Sequence, residues 1–187
     1  LPLRQRVQVE VTTTSQARYT LETFHYLHRV RVGRQINYVV IIDGTVDGVM
    51  TFAYPMISVP IMNIPSDEII EFARMYLHSN IPHTATCAIG KVLRRIQHDW
   101  MLLFPSSKIP RLVVSWSDIT LHKGTIYKAA NFQYLRRTKG HPPGNKSSSK
   151  RGKREAHTDY AHDKDTWVYQ LPCPKISTRQ SVLDGVE

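Results

Sequence analysis

The chain has 187 residues, of which 41% are hydrophobic, 21% are charged and 9% are aromatic. These proportions provide enough apolar side chains for a folded core, and they argue against a disordered chain or a low-complexity fibre. Lysine and arginine number 25 against 15 aspartate and glutamate residues, and the resulting net charge of +10 favours a partner rich in phosphate or otherwise anionic.

Cysteine and histidine usage narrows the class of protein further. Cys87 and Cys173 form no Cys-x-x-Cys pair, which argues against a cysteine zinc site and against a disulfide-rich secreted scaffold. The nine histidines are scattered and form no His-Glu-x-x-His motif, so we expect no metal site. No apolar run approaches the roughly 18 residues that cross a bilayer. We therefore expect a soluble protein of the reducing cytoplasm with no membrane partner.

The first part of the chain predicts three strands and one helix. Residues 6–13 alternate apolar and polar side chains, as a half-buried strand does, and residues 14–31 suit a helix. Two β-branched runs, at 37–42 and 46–52, flank the hairpin signal Asp43-Gly44. The two runs are therefore predicted to form an antiparallel pair.

The rest of the core predicts alternating strands and helices. After a proline-rich loop at 55–67, the predicted elements are a strand at 68–77, a helix at 84–100 capped by Thr84 or Thr86, a strand at 111–117, a helix at 124–130 and a final strand at 132–136. Strands separated by single crossover helices indicate a mixed α/β sheet with helices on its faces.

A strongly basic stretch follows the last predicted strand. Residues 136–154 contain no acidic residue and carry eight cations, namely Arg136, Arg137, Lys139, Lys146, Lys150, Arg151, Lys153 and Arg154. This stretch is rich in proline, glycine and serine and is predicted to be a mobile loop or tail that either contacts nucleic-acid phosphates or acts as a solubilising linker. We predict a folded domain at 1–140 and a basic, partly flexible extension at 141–187, whose apolar residues around Trp167 could fold back as a strand.

One polar segment has the form of an anion site. A strand, a loop of small polar residues and a helix N-terminus follow one another, and the free backbone N–H groups of such a helix attract negative groups. The candidate residues are Arg74, Ser79, Asn80, His83, Thr84 and Thr86. The alternative is a capped helix without a ligand and an arginine at the surface.

A second polar segment begins at the end of the strand at 111–117. It contains Ser115, Ser117, Asp118, Tyr127, Asn131 and Tyr134. Asp118 and Tyr127 can share a cleft in which a carboxylate accepts a proton and a phenol donates one. The alternatives are that Asp118 caps a turn, that Tyr127 packs in the core and that Asn131 ends a helix. His25 and Tyr26 form a third candidate.

These segments together resemble the Mom-type DNA-modification proteins of bacteriophages, which have a GNAT-like N-acyltransferase fold. The resemblance spans about residues 22–140. It rests on Phe24-His25-Tyr26, Glu71-Phe-Ala-Arg74, Ser79-Asn80, Ser115-Trp-Ser-Asp118 and, above all, the block HKGTIYKAANFQY from His122 to Tyr134.

The resemblance implies both a fold and an activity. The fold is an α/β fold with a mixed central sheet, whose central strands at 69–77 and 111–117 are splayed, and with flanking helices. The activity is that of a transferase that adds a small acyl-derived group to the exocyclic amine of adenine in double-stranded DNA, which protects phage DNA from restriction. The implied donor is an acyl-CoA such as acetyl-CoA, but the stretch from His83 to Gly90 lacks the Gln/Arg-x-x-Gly-x-Gly/Ala turn with which such enzymes usually hold the CoA pyrophosphate.

The resemblance also implies roles for the candidate residues. Arg74 and the loop at 79–86 become the cofactor-phosphate side, and Asp118 and Tyr127 become the base and the acid. The substrate pocket is then formed by His25, Tyr26, Ser115, Ser117, Asn131 and Tyr134. An adenine inside a duplex needs to be flipped out before it can react. A homodimer through exposed strand edges is a further expectation. Two other functions stay open: a non-catalytic DNA-binding accessory protein, and an acyltransferase that acts on protein or small-molecule amines.

Overall fold

A computed structural model describes residues 1–55, 60–140 and 162–173. These residues form one mixed sheet in the order β1-β2-β3-β4-β5-β7-β6. The strands are β1 Val7–Thr12, β2 Gln35–Ile42, β3 Thr45–Ala53, β4 Ile69–Leu77, β5 Leu112–Asp118, β6 Gln133–Thr138 and β7 Lys164–Gln170. The helices are α1 Leu3–Arg6, α2 Thr14–Phe24, α3 Thr84–Leu93, α4 Ile96–Leu103 and α5 Thr125–Ala129, and Ser66–Glu68 is a single 3₁₀ turn. In the described part of the chain, none of the helices is long and apolar enough to span a membrane.

The helices pack on both faces of the sheet, as predicted. On one face, α3 and α4 cover the main core, in which Phe52, Ile89 and Trp100 are fully buried. On the other face, Ala17 and Leu21 of α2 pack against the sheet. Each large apolar side chain removed from water stabilises the fold by about 1.5–3 kcal/mol, so that these two layers hold the sheet between them.

Strands β2 and β3 form the predicted hairpin. Asp43 and Gly44 connect them with φ values of 50° and 80°. Two consecutive residues with positive φ match the twist of a two-residue hairpin turn, and the sequence Asp-Gly is favoured there. This part of the fold is confirmed.

The two central strands are splayed, as the resemblance implied. β4 and β5 are parallel, and in the described residues they pair only from Ile69 to Glu71 and from Leu112 to Val114. On its other side β4 carries a β-bulge, because Thr51 faces Arg74 while the next residue of β3 faces Phe72, which leaves Ala73 without a partner across the strands. The strands therefore separate into a fork at the point where β4 bends.

The sheet continues beyond residue 140. β7 pairs with β5 on one side and with β6 on the other, so it lies inside the sheet, although it follows both strands in sequence. The strand that the residues around Trp167 could form is therefore present as β7. The prediction that 132–136 is the final strand is wrong, because β7 completes the sheet.

Two predicted helices have different bounds. The helix expected at 14–31 ends at Phe24, and the segment after it turns back so that Arg31 pairs with Glu71 of β4. The helix expected at 84–100 is two helices, because the helical conformation is interrupted before Ile96. At the interruption, the Arg95 side chain donates to Asp99 and to the backbone carbonyl of Val9 in β1.

The expected threonine cap of α3 is also wrong. His83 occupies the N-cap position with a φ of 66° and donates or accepts no capping hydrogen bond through its side chain. Thr84 already lies inside the helix as its first residue. The start of α3 therefore has no side-chain cap.

Candidate active site

A cavity of about 420 Å³ lies at the fork between β4 and β5. Its lining consists of His25 and Tyr26 after α2, residues 72–75 of β4, Ser115 and Trp116 of β5, and residues 121–127, which lead from β5 into α5. Phe72 belongs to the core on the α3 side, whereas Trp116 packs on the opposite side of the sheet. Because the sheet is split here, side chains from both of its faces reach one cavity.

Ser115 and Tyr127 meet in this cavity. The Ser115 hydroxyl donates to the Phe72 carbonyl oxygen at 2.8 Å and lies 3.0 Å from the Tyr127 hydroxyl oxygen. The Tyr127 ring also stacks on Trp167, with ring centroids 5.5 Å apart. Burial raises the pKa of Tyr127 to about 12. The phenol is therefore protonated at neutral pH and can serve as a hydrogen-bond donor or an acid.

A buried ion pair lies beside the fork. Glu71 is 7% exposed and accepts a hydrogen bond from Arg31, which belongs to the segment between α2 and β2. Burial raises the pKa of Glu71, and the nearby cations Arg31, Arg74 and Lys164 oppose that rise. Removing one member of such a pair leaves an uncompensated charge in the interior. The pair therefore ties the segment that begins with His25 and Tyr26 to β4.

Three aromatic rings form one wall of the cavity. His25 is buried and stacks on Tyr26 at 4.5 Å between ring centroids, and Tyr26 meets the edge of His122 at 5.9 Å. The backbone N–H of Leu27 donates to His25 Nδ1 at 3.1 Å and fixes the orientation of the imidazole. Tyr26 is 48% exposed, so this wall presents aromatic rings with polar atoms at their edges to a molecule that enters the cavity.

Asp118 lies at the end of β5 and caps the turn that follows. Its Oδ1 accepts from the backbone N–H of Thr120 at 2.8 Å and from the Thr120 hydroxyl at 2.6 Å, and its Oδ2 lies 2.8 Å from His162 Nδ1. Burial pushes the pKa of Asp118 up, but the hydrogen bonds from Thr120 and His162 outweigh it and hold this pKa below its usual range. A carboxylate in this state is a weak base.

The structure brings together some of the predicted site residues. His25, Tyr26, Arg74, Ser115 and Tyr127 all line the cavity, although they come from four separate stretches of the chain.

Other predicted residues of the second polar segment lie elsewhere. Ser117 accepts a hydrogen bond from Trp167 Nε1 at 2.9 Å inside the core. Asn131 follows α5 with a φ of 63°, a conformation that asparagine tolerates at a helix end. Tyr134 lies on β6 against Trp167 and is 52% exposed. Within the described ranges, these three residues and Asp118 are outside the cavity lining.

The predicted phosphate loop comprises the connection between β4 and α3 and the first turn of α3. Its members Ser79, Asn80, His83, Thr84 and Thr86 are not in the lining that the described residues give to the cavity. The backbone N–H of Ser79 donates to Asp47 Oδ1 at 2.9 Å. The hydroxyl oxygens of Ser79 and Thr84 are buried and have no hydrogen-bond partner among the described residues.

The described part of the basic stretch lies on the outer strand β6 and directly after it. Arg136, Arg137 and Lys139 are exposed, and Arg137 forms a two-pronged ion pair with Asp165 of β7. The other predicted DNA-binding residues, Lys146, Lys150, Arg151, Lys153 and Arg154, lie outside the described residues.

Several lining residues received no role from the sequence analysis, although His122 and Lys123 lie in the block that carries the family resemblance. Leu121, His122 and Lys123 belong to the loop after β5, and a signal for them existed, because ligands of open α/β sheets bind beyond the carboxyl ends of parallel strands. Ala73 had no such signal, since a single bulge residue leaves no local pattern in the sequence.

Comparisons with known proteins agree with this architecture. A GNAT-family acetyltransferase from Streptococcus pneumoniae shares the fold with 8% identity and a TM-score of 0.53, and the match covers 89% of this chain and 99% of that one. The putative acetyltransferase yncA from Salmonella typhimurium, solved with acetyl-CoA, matches with 10% identity and a TM-score of 0.54 over 91% of this chain and 96% of that one. NAA60 from Arabidopsis thaliana, solved in complex with acetyl-CoA, matches with 13% identity and a TM-score of 0.55 over 88% of this chain and 98% of that one. No curated protein matches the sequence.

At these identities, the likeness to solved structures concerns the fold alone. The sequence itself matches the model of one family, described as the Mom protein family, over residues 6–180. The match covers nearly the whole chain, including β7 and the cavity. The chain therefore belongs to the Mom protein family.

Proposed function

We propose that this protein is a transferase that adds a small acyl-derived group to the exocyclic amine of adenine in double-stranded DNA. The observation that carries the proposal is the cavity at the fork of β4 and β5, which is lined by side chains from both faces of the sheet. A donor molecule and an acceptor base can therefore meet there from opposite sides. The membership in the Mom protein family and the fold shared with acetyltransferases support this choice of reaction.

The start of α3 fits the phosphates of an acyl-CoA. The helix has no side-chain cap and no acidic residue in its first turn, so its N-terminal dipole is available to an anion. Within the part of the chain that the structure describes, the buried Thr84 hydroxyl lacks a hydrogen-bond partner, and a phosphate oxygen would provide one. Ser79 fits less well, because Asp47 already accepts its backbone N–H. We propose that Thr84 and the first amides of α3 hold the donor's phosphates.

When bound, an acyl-CoA supplies an acyl group that is activated as a thioester. The residues of this chain then have two tasks, to orient the reacting groups and to move protons. Tyr127 is protonated at neutral pH and faces the cavity, so we assign it the role of acid or hydrogen-bond donor. Ser115 holds the Tyr127 hydroxyl in place through its own bond to Phe72. Arg74 contributes a positive charge to the same cavity.

The acceptor enters beside the aromatic wall of the cavity. His25, Tyr26 and His122 provide stacked and edge-on rings of the kind that holds an extruded base. The exposed cations Arg136 of β6 and Lys139, which directly follows β6, would neutralise phosphates of the flanking duplex.

Asp118 receives a different role from the one expected. Its carboxylate accepts two hydrogen bonds from Thr120, contacts His162 and has a lowered pKa. Asp118 is therefore better suited to be a positioning residue that holds the turn beside the cavity. The neutral amine of adenine carries no extra proton before it reacts. It loses one proton when the new N–C bond forms and the C–S bond breaks, and the leaving thiolate would accept that proton, so no strong base has to remove it beforehand.

The test is nucleoside mass spectrometry of DNA from cells that express the protein. We expect a heavier deoxyadenosine with the wild-type protein, and its mass increment names the transferred group. Tyr127→Phe should lower the modified fraction by about 10²-fold, the usual contribution of a positioned proton donor. Tyr19→Phe is the matched control, because Tyr19 is 70% exposed on α2 and lies outside the cavity lining of the described residues.

Two results would contradict the proposal. Unmodified nucleosides in the presence of a folded, DNA-binding protein would favour the accessory-protein function. Acyl transfer to protein or small-molecule amines that proceeds without DNA and shows little dependence on salt would instead favour an acyltransferase that acts on those amines.

A further inference from the structure

The segment from Ile119 to Lys123 projects an apolar side chain at the mouth of the cavity. Leu121 is 55% exposed and also lines the cavity, and its neighbours His122 and Lys123 line it too. A single exposed leucine on a protein surface is ordinary. Leu121 differs because its position is next to the opening through which an acceptor would enter.

Both ends of this segment are anchored. At the start, Asp118 accepts from Thr120 through its side chain and from Leu121 and His122 through its backbone carbonyl, at 3.2 and 2.9 Å. At the end, Gly124 has a φ of +71° and packs so closely on Trp167 that an added Cβ would lie 2.2 Å from the ring. An exposed turn with two such anchors resists displacement when it is pushed against another molecule.

We propose that Leu121 is a wedge that enters the base stack of the duplex when the target adenine leaves it. This role rests on the proposed function. The exocyclic amine of adenine is part of the base pair with thymine, so that the base has to be extruded before the amine can react. Proteins that open a base step commonly insert an apolar side chain into the gap, which offsets part of the lost stacking. Leu121 has the required chemistry and adjoins the cavity that receives the base.

The charges around Leu121 suit the same partner. Lys123 is exposed on the same turn, and Lys128 of α5 lies with its Nζ 6.0 Å from the centre of the Trp167 ring. Arg136 is exposed on the neighbouring strand β6, which pairs with the strand of Trp167. A phosphate beside an opened base step would therefore meet at least the positive side chain of Lys123 on the same turn.

The experiment compares two synthetic duplexes, each with one target adenine. They differ only opposite this adenine, where one has thymine and the other has an abasic site. An extract of the expressing cells supplies the donor, and nucleoside mass spectrometry gives the rate. We expect Leu121→Ala to slow modification of the paired adenine by at least about tenfold and to slow that of the unpaired adenine much less, because unpairing and unstacking a base cost a few kcal/mol.

Leu102→Ala is the matched control. Leu102 is 69% exposed on α4 and lies outside the lining formed by the described residues, so its variant should behave like wild type on both duplexes. A second readout needs no group transfer: 2-aminopurine in place of the target adenine should brighten when saturating wild-type protein binds, and less so with Leu121→Ala.

Each outcome decides the matter. Equal rates for Leu121→Ala and wild type on the thymine duplex would overturn the wedge, as would an equal loss on both duplexes. A wild-type protein that modifies neither adenine would contradict the proposed function itself, and the wedge with it.

Discussion

Replacing Asp118 distinguishes a carboxylate that holds a turn from one that removes a proton. Asp118→Ala deletes the acceptor of two hydrogen bonds from Thr120 and the contact with His162, whereas Asp118→Asn keeps one oxygen for Thr120. A hydrogen bond to a charged group contributes about 1.5–3 kcal/mol, and the low end applies here because Thr120 and His162 are exposed to water. We expect Asp118→Ala to lower the free energy of unfolding by about 2–3 kcal/mol and Asp118→Asn by about 1 kcal/mol.

Urea unfolding as a function of pH measures this contribution. The depressed pKa of Asp118 means that its carboxylate stabilises the fold fully above the unfolded-state pKa of about 3.9. As the pH falls through the lower folded-state pKa, the carboxyl becomes protonated and the contribution is lost. The difference in unfolding free energy between wild type and Asp118→Ala should therefore shrink below about pH 4.

Activity completes the comparison. A positioning role predicts that Asp118→Asn retains transfer within about tenfold of wild type, whereas loss of a general base would cost both variants about 10²–10⁴-fold. Equal inactivity of the two variants, with unchanged unfolding free energies, would refute the reasoning and return Asp118 to the role of base.

The other predictions concern packing, charge and DNA binding. Gly124→Ala should destabilise the fold by more than the roughly 1 kcal/mol expected for Gly44→Ala in urea unfolding, since both have positive φ but only Gly124 meets an indole ring within 4 Å; equal losses would contradict this. Glu71→Gln should cost about 3–5 kcal/mol, because it leaves the Arg31 guanidinium buried without a carboxylate, and adding Arg31→Met should restore part of the loss in the same assay. Arg136→Gln should reduce the slope of log affinity against log salt for DNA by about 1, and an unchanged slope would remove Arg136 from the interface.

Local patterns in the sequence determine much of this fold. The β2–β3 hairpin was predictable because Asp43-Gly44 and the flanking β-branched runs specify both a turn and its strands. The cavity residues Ser115 and Tyr127 were also found, since they lie at a strand end and at the start of a helix, where polar groups of an α/β fold collect.

The features that the sequence did not predict depend on contacts between distant parts of the chain. β7 pairs with β5 across a long insertion, and no local periodicity tells a strand which neighbour it will find. The early end of α2 follows from the pairing of Arg31 with Glu71, which the sequence around Arg31 does not reveal. Turn capping was the alternative expected for Asp118, but the sequence could not predict the contact with His162, a residue far along the chain.

The position of β7 also constrains the order in which the molecule can assemble. β6 has β7 as its strand partner in the sheet, so β6 stays unpaired until the chain has been made beyond Gln170. Trp167, which packs against Tyr127 and Gly124, arrives with that strand. Pairings between strands distant in sequence are formed slowly, because the long connection first has to be closed. During synthesis, the cavity wall at Tyr127 therefore gains its support from Trp167 only after β7 has been made.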